Sequence, residues 1–133
     1  MSGTTLTRRG LTIAAATLAP LALWTLTGPV AGLDPSAESG GRAHPVGAVA
    51  VVAASLVMGL AAWALLALLE RTTGNPRRAW TITAVAVLAL SLTGPLGSAA
   101  DTASLAVLTA MHLLVAAILI PGLAPSARPR RAR

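Results

Sequence analysis

The chain has 133 residues, of which 55% are hydrophobic and only 11% charged, and its mean hydropathy is +0.75. Soluble domains are about a quarter charged, so this composition argues against a water-soluble fold. The chain has no cysteine, which excludes disulfides, thiolate metal sites and a thiol nucleophile. Its net charge of +6 is not accompanied by any Phe or Tyr that could stack on bases, so we expect no nucleic-acid partner.

Four uncharged apolar segments predict an all-α fold, an integral membrane four-helix bundle that occupies residues 11–122. The predicted spans are residues 11–31, 46–69, 79–97 and 102–121. Spanning helices need about 20 residues, with a range of about 17–25, to cross a hydrocarbon core roughly 30 Å thick, and each segment falls within that range. Residues 1–10 are predicted to be a cytoplasmic N-terminus.

The first span carries two features that affect its interpretation. Pro20 lies inside it and is expected to bend the helix, with Thr17 as a hydroxyl that could bond the freed carbonyl. Arg8 and Arg9 before an apolar run also resemble the start of a secretory signal peptide. The apolar core is longer than that of a signal peptide, so we expect a retained helix.

The connections between spans carry turn residues and charge. Residues 34–45, DPSAESGGRAHP, predict a solvated loop, and Gly74-Asn75-Pro76 predicts a reversal between the second and third spans. Thr93-Gly94-Pro95 is expected to end the third helix at its proline, and Asp101 marks a short connection to the fourth. Residues 123–133 lack apolar periodicity and are predicted to form a disordered basic cytoplasmic tail.

The arginines indicate an orientation. With four spans, nine of the ten arginines fall on one side and only Arg42 on the other; the nine are Arg8, Arg9, Arg71, Arg77, Arg78, Arg128, Arg130, Arg131 and Arg133. The positive-inside rule makes their side cytoplasmic, which places both termini inside a bacterial cytoplasmic membrane. Trp63 and Trp80 are then expected near the inner interface and Trp24 near the outer one, as packing or anchoring residues.

A short internal echo suggests how the bundle could have arisen. Leu26-Thr27-Gly28-Pro29 in the first span recurs as Leu92-Thr93-Gly94-Pro95 in the third. One interpretation is two tandem helical hairpins related by duplication. The other is coincidence in a chain rich in Ala, Leu, Thr and Gly, and the sequence leaves both open.

Small residues are expected to bring the helices together, since lipid competes equally well for apolar side chains. Three pairs have the spacing of close helix contacts: Gly28 and Gly32, Ser55 and Gly59, and Ala106 and Ala110. Hydroxyl groups in the spans could add hydrogen bonds within or between helices.

His112 is the candidate for an intramembrane polar site, together with Thr109. It lies halfway along the fourth span, and ionisable side chains at that depth suggest a proton relay or a ligand contact. The alternative is a neutral imidazole that bonds Thr109 or a backbone carbonyl. Glu70, at the cytoplasmic end of the second span, is expected to form interfacial salt bridges with Arg77 or Arg78.

Several segments resemble a family of small four-helix membrane proteins from actinobacteria, classed as domain of unknown function 6069. They are Trp63 to Arg71, Arg77 to Trp80, Leu88 to Leu96 and Met111 to Leu123, and the likeness covers roughly Leu11 to Leu123. The resemblance implies an integral membrane protein with four helices. It implies no assigned activity and no catalytic residues.

Two function classes remain open from the sequence. The first is a non-enzymatic bundle that packs with itself or with another membrane protein in the lipid bilayer. The second is a small transporter or channel subunit that uses His112. We expect no catalytic residues, no cofactor and no metal site, because no triad, phosphate-binding loop or metal-ligand spacing is present. An arginine tail that tethers the protein to anionic lipid is a further, weaker possibility.

Overall fold

The structure, a computed structural model, describes residues 3–129. Four helical segments are each long and apolar enough to cross a membrane: Gly3–Val30, Ala48–Thr72, Pro76–Ser98 and Thr102–Ser126. The prediction of an all-α, four-helix membrane bundle is therefore confirmed. One small two-stranded sheet is the addition to it.

The first segment consists of helix α1, Gly3–Thr25, and a π-helical turn, Leu26–Val30. Helix α1 starts well before the predicted span because Thr4 to Gly10, although polar, continue the helix. It runs through Pro20, and the Thr17 hydroxyl bonds the Ile13 carbonyl, not that of Ala16, which Pro20 leaves free. Pro29 cannot donate a backbone bond either, and the chain widens there so that the Ala31 N–H reaches Leu26 O at 3.0 Å.

The third segment is divided near its C-terminal end. Helix α3, Pro76–Ser91, is separated by Leu92 from the short helix α4, Thr93–Ser98. Pro95 lies inside α4, so the expectation that the proline stops the helix is wrong. A proline interrupts the bond to the carbonyl four residues earlier, here that of Ser91, and the break accordingly precedes Pro95.

The segment predicted as a solvated loop contains a β-hairpin. Strand β1, Ser36–Ser39, pairs antiparallel with β2, Arg42–Pro45. Gly40 and Gly41 form the two-residue turn with φ of +59° and +73°, as a type I′ hairpin requires. The sequence analysis recognised the turn but not the pairing, because neither strand has alternating apolar residues.

The hairpin is bonded to the start of the last helix. The Ser36 N–H donates to the hydroxyl of the fully buried Ser104 at 3.0 Å, and the Ala100 N–H donates to Ser36 O at 3.2 Å. Helix α5, Thr102–Leu123, is capped by Asp101, which accepts from the Ser104 N–H at 2.7 Å. The hairpin and the connection before α5 thus hold the ends of the spans together.

Helix α1 makes the two most extensive helix contacts of the bundle, along α2, Ala48–Thr72, and along α5. Two glycines allow these close approaches. A Cβ on Gly59 would lie 2.8 Å from Ile13 of α1, and one on Gly122 would lie 2.5 Å from Thr12. Gly59 belongs to one of the predicted small-residue pairs, whereas Gly122 does not.

The end of the chain is more ordered than expected. Helix α5 continues to Leu123 and is followed by a 3₁₀ turn, Ala124–Ser126. Leu123, Ala124 and Ser126 are all buried, so the prediction of disorder from residue 123 is corrected for this turn. Residues 130–133 of the predicted tail lie outside the described residues.

Candidate lateral groove in the bundle

A groove opens on the side of the bundle between α2, α3 and α5. We call it the lateral groove; its volume is about 610 Å³, and its walls include Ser55 and Ala62 of α2, Trp80, Ala84 and Ser91 of α3, and His112 of α5. Several wall positions on α2 and α3 are alanine, and their small side chains leave the space unfilled. Of the small residues that were expected to promote helix contact, only Ser55 lines the groove.

Trp80 closes the end of this groove that lies near the start of α3. Its side chain is 2% exposed, and its indole N–H donates to Ile120 O of α5 at 3.1 Å. Of the residues in α3, only Pro76 and Trp80 are buried, both near its start. Asn75 caps that start by accepting from the Arg78 N–H at 3.2 Å. Helix α3 is thus held against the bundle at its N-terminal end, and the groove extends from there toward the hairpin end of the bundle.

His112 contributes an imidazole to the groove wall. Its Nδ1 lies 2.7 Å from Leu108 O, one turn back on the same helix. A carbonyl oxygen only accepts, so Nδ1 carries the proton, and in a neutral ring Nε2 is left as an acceptor. The hydrogen bond is to a backbone carbonyl of α5 and not to Thr109, which is half-buried and does not line the groove.

Two hydroxyl groups from other helices share the groove with His112. Ser55 of α2 and Ser91 of α3 both line it, and the Ser91 hydroxyl donates to Leu88 O at 2.8 Å. The lining is otherwise almost entirely apolar and contains no carboxylate. Within residues 3–129, no group of three His, Cys, Asp or Glu residues could hold a metal ion. Such a groove can bind an apolar molecule and offer it a few hydrogen-bonding groups, His112 Nε2 among them.

A second polar arrangement lies at the end of the bundle opposite the hairpin, and we call it the Arg9 cluster: Arg9, Glu70 and Ser126. The Arg9 side chain is 0% exposed, and its Nη2 donates to Glu70 Oε1 at 2.6 Å. Arg9 Nε donates to the Ser126 hydroxyl and Nη2 to Ser126 O, both at 3.0 Å. Glu70 Oε1 also accepts from the Arg128 N–H at 2.9 Å.

The Arg9 cluster corrects the expected pairing of Glu70 with Arg77 or Arg78. Glu70 instead binds an arginine 61 residues away in the chain, on a different helix. A signal was present in the sequence: Glu70 is the one acid on the side of the membrane that carries nine arginines. A single carboxylate among so many cations is expected to pair with the most buried of them, because an unpaired buried charge is the most destabilising.

Together, the four helices that are long and apolar enough to cross a membrane, the apolar lateral groove and the buried Arg9 cluster define an integral membrane helical bundle. Residues 2–129 match the family of unknown function DUF6069, and the chain belongs to that family. No curated protein and no solved structure matches the chain.

Proposed function

We propose that this protein is a non-enzymatic membrane bundle that binds one apolar, chain-like molecule in its lateral groove. The observation that carries the proposal is the groove itself, with a volume of about 610 Å³ and a single imidazole acceptor in an apolar wall. Binding sites for small molecules measure about 300–1,000 Å³ and combine apolar walls with a few polar groups.

The alanine-rich, apolar walls of the groove are compatible with a hydrocarbon chain as its occupant. A hydrocarbon chain could lie along the alanines, with a hydroxyl or amide donating to His112 Nε2. The absence of a carboxylate from the groove wall favours binding over proton-coupled transport, which was the alternative role considered for His112.

Tryptophan quenching tests whether a chain enters the groove. In a background where Trp24 and Trp63 are replaced by phenylalanine, Trp80 is the remaining tryptophan of the three in the chain. Trp80 is 2% exposed and lines the groove, so a brominated chain inside the groove would lie next to it. We expect phospholipid with brominated chains to quench its fluorescence in vesicles.

Two alanine substitutions on α3 provide a matched pair for this experiment. Ala84 lines the groove one helical turn from Trp80, and Ala84→Phe should reduce quenching by filling the groove. Ala86 is exposed and does not line the groove, so Ala86→Phe should leave quenching unchanged. Equal quenching in both variants, or none in the parent protein, would contradict the proposal.

Packing with a second copy of the chain is a second candidate function. Ala106 and Ala110, predicted as a helix contact, are exposed on α5 within the described bundle and could serve such an interface. Since the chain has no cysteine, Ala110→Cys offers a direct measurement. Disulfide-linked dimers in the membrane would support self-association, and a monomer under oxidising conditions would oppose it.

A further inference from the structure

A second opening lies between α1 and α5 and shares no residue with the lateral groove. We call it the inner trench; its volume is about 580 Å³, and its walls include Arg8, Leu11, Thr12 and Ala15 of α1 with Ile118 and Gly122 of α5. It runs from the arginine-rich end of the bundle toward the middle of the spans.

The walls of the inner trench change from polar to apolar along the helices. Thr7 and Arg8 lie at the arginine-rich end of the trench, near the start of α1. Leu11 and Ala15 lie about 4.5 and 10 Å farther along the helix axis than Arg8, given the rise per residue. On the antiparallel α5, Ile118 is likewise one turn deeper than Gly122. A molecule with a polar head and an apolar chain matches this order.

Arg8 is held in place while most of its guanidinium stays available. Its Nε donates to Gly122 O at 3.3 Å, and its Nη atoms make no hydrogen bond to any residue from 3 to 129. The side chain is exposed. The two Nη groups can therefore receive an anion without losing an existing contact.

Charge at this end of the bundle favours an anionic occupant. Glu70 is the one acid on the arginine-rich side, and its carboxylate is already bonded to the buried Arg9. Among residues 3–129, Arg8 forms no ion pair with a carboxylate. Arginine binds phosphate oxygens well because its planar fork matches their geometry.

We propose that the inner trench binds one anionic phospholipid, with its phosphate on the Arg8 guanidinium and one acyl chain along Leu11, Ala15 and Ile118. This site is independent of the proposed function, because it lies between another pair of helices. Basic pockets between spanning helices are a known way of recognising lipid head groups.

Lipid retention measured by native mass spectrometry tests the head-group contact. Protein from mixed phosphatidylglycerol and phosphatidylcholine nanodiscs should retain one phosphatidylglycerol. Arg8→Gln should weaken this binding about fivefold or more, as expected for loss of one arginine near an anionic surface. Arg77→Gln, an exposed arginine at the same end but outside the trench, should leave it unchanged.

Neighbouring alanines on α1 test the acyl-chain contact. Ala15 lines the trench and Ala14 does not, although both are exposed. Ala15→Phe should therefore displace the lipid, whereas Ala14→Phe should not. Thermal unfolding of each variant without added lipid shows whether the fold is preserved.

Three results would overturn the proposal. Equal losses in the Arg8 and Arg77 variants would indicate diffuse attraction to the surface. Equal retention of phosphatidylcholine would remove charge recognition. Displacement of the retained phosphatidylglycerol by inorganic phosphate, at the same concentration as the lipid, would indicate an anion site without a lipid chain. Ala84→Phe should not affect retention, which separates this test from that of the lateral groove.

Discussion

Arg9 is fully buried, and its charge is balanced by the carboxylate of Glu70, which is 15% exposed. Burying a charge costs several kcal/mol, and the cost is recovered only where the partner and the hydrogen bonds are good. Four hydrogen bonds of Arg9 and Glu70 are described above, and three of them join these residues to the segment after α5. Arg9 bonds Ser126 twice, and Glu70 bonds the Arg128 N–H. Arg9 Nη1 has no hydrogen-bond partner among residues 3–129. The cluster therefore fixes which segments meet, at some cost in free energy.

Removal of one partner from the Arg9 cluster should be more damaging than removal of both. Arg9→Met leaves Glu70 with an uncompensated charge, and we expect a loss of about 3–5 kcal/mol in the free energy of unfolding. Arg9→Met combined with Glu70→Leu replaces the pair by apolar side chains and should recover most of that loss. Unfolding in mixed micelles of dodecyl maltoside and SDS measures both variants.

The exposed Arg78 is the control for the Arg9 variants. Arg78→Met removes the same charge from the same end of the bundle and should change the free energy of unfolding by less than about 1 kcal/mol. A double variant that is no more stable than Arg9→Met alone would show that the ion pair itself is stabilising.

At the scale of the helices, the two closest crossings depend on glycine. Gly122 brings α5 against Thr12 of α1, and Gly59 brings α2 against Ile13. Thr12 and Ile13 are neighbours, so α1 meets α2 and α5 at almost the same level. In lipid, close approach of backbones provides much of the attraction between helices.

Gly122→Ala should separate α1 from α5. The added Cβ would lie 2.5 Å from Thr12 Cγ2, and we expect a cost of about 1–3 kcal/mol from the resulting overpacking. Thr12→Ser removes that methyl group and should restore part of the stability. Gly97→Ala in α4, where a Cβ would meet no atom within 4 Å, controls for the change in helix propensity. Similar effects of the two alanines, measured by thermal unfolding, would contradict this account.

The sequence was informative about helices and less so about their irregularities. Apolar length alone identified the four spans, since a helix satisfies all of its backbone hydrogen bonds within one apolar segment. The two Leu-Thr-Gly-Pro segments were recognised, yet one forms a π-helical turn around Leu26–Val30 and the other a break at Leu92. The difference depends on packing around each proline, which a shared tetrapeptide does not specify.

The candidate sites were less predictable than the fold. His112 was singled out because ionisable groups are rare at membrane depth, and it does line the lateral groove. Thr109 was paired with it through sequence proximity alone, and the structure places Thr109 outside the groove wall. The groove and the Arg9 cluster both depend on which helices are neighbours, and hydropathy carries no information about that.

At the scale of the whole molecule, charge is distributed unevenly between the two ends of the bundle. Within residues 3–129, the hairpin end carries Arg42 with Asp34, Glu38 and Asp101, whereas the opposite end carries the Arg9 cluster with Arg8, Arg71, Arg77, Arg78 and Arg128. Positive charge is retained on the cytoplasmic side of membrane proteins. We therefore propose that the arginine-rich end faces the cytoplasm.

Reporter fusions test this orientation. Green fluorescent protein fused after Arg133 should fluoresce, and alkaline phosphatase inserted between Gly40 and Gly41 should be active outside the membrane. The same reporters exchanged between the two positions should both be silent. The opposite pattern would reverse the orientation, and activity of one reporter at both positions would contradict an even number of crossings.

The contact between Arg9 and Ser126 also has a consequence for biosynthesis. Arg9 and Ser126 are 117 positions apart in the chain, and Arg9 is translated first. The nascent chain must hold this guanidinium without its Ser126 ligand until the segment that follows α5 has been synthesised. The buried polar contact therefore forms only after all four described helices have been made, and it closes α1 onto the end of α5.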